Sequence, residues 1–154
     1  MLLAIYLNDH LAGATVGREL AKRAAGSNRG TAHAAFLERL ADEVDADRET
    51  LLAIMGALGV RVDRVKVAGA WGAEKLGRLK LNGRVLGYSP LSRVVELEGL
   101  TLGVHGKLSL WRTLDELASP GLAAFDLQAL MRRAEAQLEE LEEHRRQGAA
   151  KAFR

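Results

Sequence analysis

Leucine, alanine, glutamate and arginine recur along this chain at three- and four-residue spacings, the period of one face of an α-helix. Aromatic and β-branched residues, which favour strands, are sparse. The pattern predicts a first helix from about Leu2 to Ala25, with Leu3, Leu7, His10, Ala14, Gly17, Ala21 and Ala24 on one stripe. Gly26-Ser27-Asn28-Arg29-Gly30 supplies a glycine stop and a turn. Thr31 is then the expected N-cap of a second helix ending near Leu58, before Gly59. Its apolar stripe is Phe36, Leu37, Leu40, Val44, Leu51, Ile54, Met55 and Leu58. A shorter helix is predicted over Val65–Leu81, flanked by Gly83 and Gly87. Ser89-Pro90 reads as an N-cap followed by proline in the first helical position, opening a fourth helix to about Ala118. Ser119-Pro120-Gly121 breaks the chain, and a last helix starts around Leu122 to Asp126 and runs towards Ala149.

Connection lengths select a topology. The first two long helices are joined by about five residues, and the last two as tightly, so each pair forms an antiparallel hairpin. About 29 residues lie between the pairs. A helix of about 28 residues is about 42 Å long, and the middle segment can return the chain along that whole length. The expected fold is an all-α four-helix bundle in one domain, 1–154: two hairpins joined by a long crossover that contains a short helix. Tyr6-Leu7-Asn8-Asp9-His10-Leu11-Ala12 and the acidic helix from Phe36 to Leu52 resemble the ferritin-like superfamily, in a divergent branch of it. That resemblance implies a ferritin-like bundle, and many such proteins bind two iron or manganese ions.

Polar residues inside the apolar stripes are the candidates for chemistry. His10 lies at the centre of the first stripe, and Asp47 inside the second, with Glu43 at its edge. On the fourth helix Glu98 and His105 share a line with Leu91, Val95, Leu102 and Ser109, surrounded by Val94, Leu97, Val104 and Leu108. On the last, Arg145 continues the stripe of Leu127, Met131, Ala134, Leu138 and Leu141. Buried charge is costly unless paired, so these groups are expected to meet. At about 1.5 Å per residue His10, Glu43, Asp47 and His105 fall within about two turns of each other. Glu98 falls nearer Arg145, and Asp47 has Arg112 as an alternative partner.

Two readings are open. One is a metal site of His10, Glu43, Asp47, Glu98 and His105 for iron, manganese or zinc, with an oxidase or storage role. The other is a buried His–carboxylate network that fixes helix register in a non-catalytic structural or interaction protein, acting as a homodimer. The ligand pattern favours the second. A di-metal bundle needs a Glu on each of two helices and Glu-x-x-His on each of the others, whereas the first helix offers His10 and the second lacks a histidine at that spacing. A carboxylate beside His10 or His105 would raise the histidine pKa, and burial would oppose it.

Composition narrows the field. With no cysteine, disulfides, thiolate metal sites and cysteine nucleophiles are excluded. Twenty-two Lys/Arg against twenty Asp/Glu is too balanced to demand nucleic acid. Seven basic residues between Arg61 and Arg84 are read as a solvated strip rather than a nucleic-acid surface. The longest uncharged stretch, Thr50–Val60, is far short of a membrane span, and Met1–Asn8 lacks the basic leader of a signal peptide. A cytoplasmic protein is expected. Trp71 and Trp111 are expected as core or interface anchors. Ten of the sixteen glycines fall inside predicted helices, where each costs about 1 kcal/mol relative to alanine. Gly13 and Gly17 share one face, and Gly99, Gly103 and Gly106 form a seam that is expected to admit a closely packed helix or a second subunit.

Overall fold

The computed structural model describes residues 1–81 and 87–154, with side chains at all of these but 71 and 74–81. Gly83 as a helix stop, Trp71 as an anchor, and the side chains of Lys75, Arg78, Lys80 and Arg84 lie outside the described residues. The described chain is all-helical: α1 (Leu2–Ser27), α2 (Ala34–Ala57), α3 (Arg64–Leu81), α4 (Pro90–Leu117) and α5 (Leu127–Ala152), with a 3-10 turn at Pro120–Leu122.

The helix boundaries follow local hydrogen bonding. Ser89 Oγ accepts from the Ser92 N–H at 3.1 Å and Ser92 Oγ accepts from the Ser89 N–H at 3.3 Å, a reciprocal cap with Pro90 behind it. Asp126 Oδ1 accepts from the Ala129 N–H at 2.8 Å and opens α5. At the end of α2, Gly59 takes φ +66°, so that the Val60 N–H reaches the Met55 carbonyl at 2.8 Å. Thr31 does not cap α2. Its oxygen does accept from the His33 N–H at 3.2 Å, as a cap would, and its hydroxyl donates to the Asn28 carbonyl at 2.7 Å, but the regular helix begins only at Ala34, with His33 at the N-cap position.

Contacts fix the helix directions. Arg18 Nε meets Asp45 at 2.5 Å between α1 and α2, and Arg112 meets Glu135 at 3.1 Å between α4 and α5. Tyr6 OH donates to Thr113 Oγ1 at 3.2 Å near one end of α1, and Arg23 meets Glu96 at 2.9 Å near the other. Gln137 Nε2 donates to Glu43 at 2.7 Å between α5 and α2. Each long helix is therefore antiparallel to both neighbours, α2 runs parallel to α4, and α3 lies against α1.

Two buried asparagines secure the ends of α1. Asn8 Nδ2 donates to the Arg61 carbonyl at 3.0 Å and its Oδ1 accepts from the Asp63 N–H at 2.7 Å, setting the entry to α3. Asn28, with no exposed surface, donates to Tyr88 OH at 2.7 Å and accepts from Arg93 Nε at 2.5 Å, setting the entry to α4. Burial, with Glu96 beside it, pushes the Tyr88 phenol up to about 12.

The core centres on Leu11, Leu40, Ile54, Leu97, Trp111 and Leu141. The α2 stripe is buried as expected up to Met55. The α4 stripe is not: Leu91, Val95 and Leu102 are exposed, and Glu98 and His105 with them. The helix is apolar on two sides, and it buries the side bearing Val94, Leu97, Val104, Leu108 and Trp111. On α5 the buried line is Leu127, Leu130, Ala134, Gln137 and Leu141, so Met131 and Leu138 only flank it.

At the end of the bundle nearest Asn28, His33 Nδ1 lies 2.8 Å from His144 Nδ1, and the His144 ring stacks on Phe36 at 4.3 Å between centroids. One nitrogen must accept while the other donates, so this contact does not survive protonation of both. Burial holds both imidazoles below their ordinary value. Arg93, His144 and Lys151 reinforce this at His33, while Glu140 and Glu143 oppose it at His144. A histidine depressed on folding contributes stability that is complete above its unfolded value of about 6.5 and is lost as pH falls through the folded one. The urea midpoint should accordingly drop as the solution is taken below about pH 6.5. His144→Gln should flatten that dependence; the same slope in both proteins would show that the pair is not its source.

Candidate functional site: a glycine-lined cleft

Gly13 and Gly17 of α1 face Gly99, Gly103 and Gly106 of α4 across a cleft of about 290 Å³. The expected close packing along these seams does not occur. A Cβ built at Gly13, Gly17, Gly103 or Gly106 meets nothing within 4 Å among the described residues, and only Gly99 has a neighbour, Leu20 Cδ2 at 3.1 Å. Absent side chains normally draw two helices together; here they leave volume between them. Val44 and Leu51 of α2 and Leu100, Val104 and Leu110 of α4 make the rest of the wall chiefly apolar.

The buried end of the lining is polar. Asp47, only 3% exposed, has both carboxylate oxygens occupied: Oδ2 accepts from Lys107 Nζ at 2.5 Å, and Oδ1 from Arg133. Lys107 Nζ also donates to Gln137 Oε1 at 2.5 Å, and Gln137 passes the chain of bonds to Glu43. Burial lowers the Lys107 ammonium from the ordinary lysine value, against the pull of Asp47. Trp111 lines the same cleft with 1% of its surface exposed, and its Nε1–H has no acceptor among the described residues. Arg133 Nε, behind Asp47, is a second buried donor without a partner among the described residues. Arg48 donates to Thr15 at 3.3 Å and Glu49 at 2.8 Å.

The five residues expected to hold a metal are not gathered. Among the described residues no group of three His, Asp or Glu side chains is placed to bind an ion. Asp47 is saturated by two cations, in place of Arg112, which pairs with Glu135. Glu43 is held by Gln137, with Arg39 at 3.9 Å. His10 lines the cleft with Tyr6 edge-on at 4.5 Å, and burial lowers its pKa against Asp9, the reverse of the rise expected beside a core carboxylate. Glu98 does approach Arg145, at 4.0 Å, but on the surface, and His105 is also outside the core. Both were expected inside because the line they share is apolar. That line belongs to the exposed side of α4. The donor set therefore does not fit the two-ion centre that the ferritin-like resemblance implies.

The residues missed by sequence reasoning are Lys107, Arg133 and Gln137. Lys107 sits between Val104, Leu108, Leu110 and Trp111, and Gln137 between Ala134 and Leu141, so the choice of the correct buried arc reveals both. Arg133 gives no such signal, since it reaches Asp47 from the flank.

Helical glycine costs about 1 kcal/mol relative to alanine, and at Gly103 no contact with a described residue offsets it. Gly103→Ala should therefore stabilise the fold by about that amount in urea denaturation. Gly121→Ala should destabilise it, because its Cβ would lie 3.2 Å from the Ala57 carbonyl oxygen. Loss of stability in Gly103→Ala would mean that the cleft is closed in solution.

Comparison with protein-family models, with curated proteins and with solved structures finds no match to this chain.

Proposed function

We propose that this is a non-catalytic binding protein, a bundle of ferritin-like chain order that takes a small, mainly apolar molecule between α1 and α4. The observation that carries the reading is the open glycine cleft. Four helical glycines meet no described neighbour, so the sequence keeps their cost without the tight helix contact that usually compensates it. What the glycines provide is room. Small-molecule sites occupy about 300–1,000 Å³ and are mostly apolar with a few placed polar groups. At about 290 Å³ this cleft lies just under the lower limit of that range. A ligand of about a dozen non-hydrogen atoms suits it. The metal-binding alternative has less support, since the carboxylates expected as ligands are already paired with cations or amides.

An uncharged probe such as 4-phenylbutan-1-ol tests the reading. Isothermal titration should show saturable binding with a Kd between about 0.1 and 1 mM, an affinity ordinary for so small a ligand. Amide NMR shifts should centre on Gly13, Gly103 and Gly106. Gly103→Leu, whose side chain would occupy the cleft, should abolish them. Shifts scattered over the surface, or unchanged in Gly103→Leu, would refute it.

A second reading, association with another copy of the chain, draws on the exposed row Leu91, Val95 and Leu102 of α4, three large apolar side chains each at least half exposed. With Glu98 and His105 the row steps by four and three residues, as a coiled-coil seam does. Light scattering coupled to size exclusion should then give a dimer that Leu102→Glu dissociates. A monomer at high concentration would remove this reading and leave the first intact.

A further inference from the structure

Among the described residues at the buried end of the cleft, the unused hydrogen-bonding capacity is that of donors, whereas Asp9 and His10 stand on the α1 side of the lining. Trp111 Nε1–H is buried without an acceptor. Lys107 Nζ has three donors, and only two of them are used, on Asp47 and Gln137. Both residues line the cleft. The single carboxylate at its buried end, Asp47, has no oxygen left without a cation. A buried donor with no partner costs about 1–3 kcal/mol, so an occupant that supplies acceptors recovers what the empty site forgoes. An occupant that brings only donors meets the Lys107 ammonium at that end, and of the carboxylates in the lining Asp47 is filled and Asp9 is paired with Lys66.

We infer that the ligand of this cleft is an apolar acid: a compact hydrocarbon or aryl body seated on the glycine faces, with one carboxylate received by Trp111 Nε1 and Lys107 Nζ. The inference rests on the cleft being a binding site, and it adds the class of head group. A carboxylate is preferred to a neutral carbonyl because it adds the attraction of opposite charges to its hydrogen bond with the Lys107 ammonium. Asp47 and Arg133 remain paired behind Lys107, so the acid does not have to displace the existing salt bridge.

Three probes with one apolar body separate the possibilities: 4-phenylbutyrate, 4-phenylbutan-1-ol and 4-phenylbutylamine. The acid should bind at least tenfold more tightly than the alcohol, with the amine weakest. In 15N-labelled protein, with Trp71→Phe used to assign the two indole signals, the Trp111 Nε1–H proton should move downfield on adding the acid and much less with the alcohol. Lys107→Met should lose the advantage of the acid while still binding the alcohol. Equal binding of acid and alcohol, or an amine that binds as well as the acid, overturns the head-group inference and leaves the apolar cleft standing. Failure of all three probes to bind overturns both. If Lys107→Met does not fold, the probe ranking and the indole shift in the unsubstituted residue-107 protein decide the matter.

Discussion

Asp47 holds two cations inside a helical core, and much of the interior is arranged around that fact. A carboxylate taken out of water is tolerated only when its lone pairs are filled, and here Lys107 comes from α4 and Arg133 from α5. Three helices are thereby set at one height, because a shift of one turn, about 5.4 Å, in any of them would strand a charge. The arrangement also brings an ammonium to the edge of the cleft. Without Asp47, Lys107 would keep only the Gln137 amide oxygen as a partner for its buried head group, against the option of extending it to solvent.

The glycine faces and this charge cluster work in opposite senses. The cluster draws α2, α4 and α5 together, whereas the glycines of α1 and α4 leave their shared side under-filled. Well-packed interiors contain few voids larger than a water molecule. A cleft of about 290 Å³ beside a well-filled core of leucines is thus a local departure, not general looseness. Elsewhere in the described residues backbone groups find side-chain partners: Asn8 bonds the Arg61 carbonyl and the Asp63 N–H, Asn28 bonds the Ala24 carbonyl, and Ser89 and Asp126 cap the two helices of the second hairpin.

Helix existence and order were legible in the sequence because Ser89-Pro90, the glycine turn after α1 and the three-four periodicity are local signals with local causes. Thr31 marks the turn before α2 but not the cap position, because its hydroxyl serves both the Asn28 carbonyl and the His33 N–H and the regular helix starts at Ala34. The site was legible only in pieces. Asp47 was found, since a single acid inside the arc of Phe36, Leu40 and Leu51 has to be compensated. Its partners were not, because α4 carries apolar residues on two sides and periodicity alone does not say which side turns inward. Once Leu91 and Leu102 are assigned to the core, Glu98 and His105 follow them there and Lys107 is left outside. The glycines were located correctly, but their meaning depends on whether the neighbouring helix closes in, a distance that no local pattern encodes.

The cleft lies between the two hairpins, not within either. Its glycine faces come from α1 and α4, and the pair that fixes its buried end, Asp47 with Arg133, is separated by 86 residues in sequence. Each hairpin can assemble through contacts close in the chain, whereas this cavity exists only after the hairpins dock, a step with a larger loop-closure cost. Partly folded species therefore have nothing for an occupant to hold. Any molecule that fits the cleft acts on the complete native state alone and raises its stability by RT ln(1 + [L]/Kd), which makes resistance to unfolding a direct measure of occupancy.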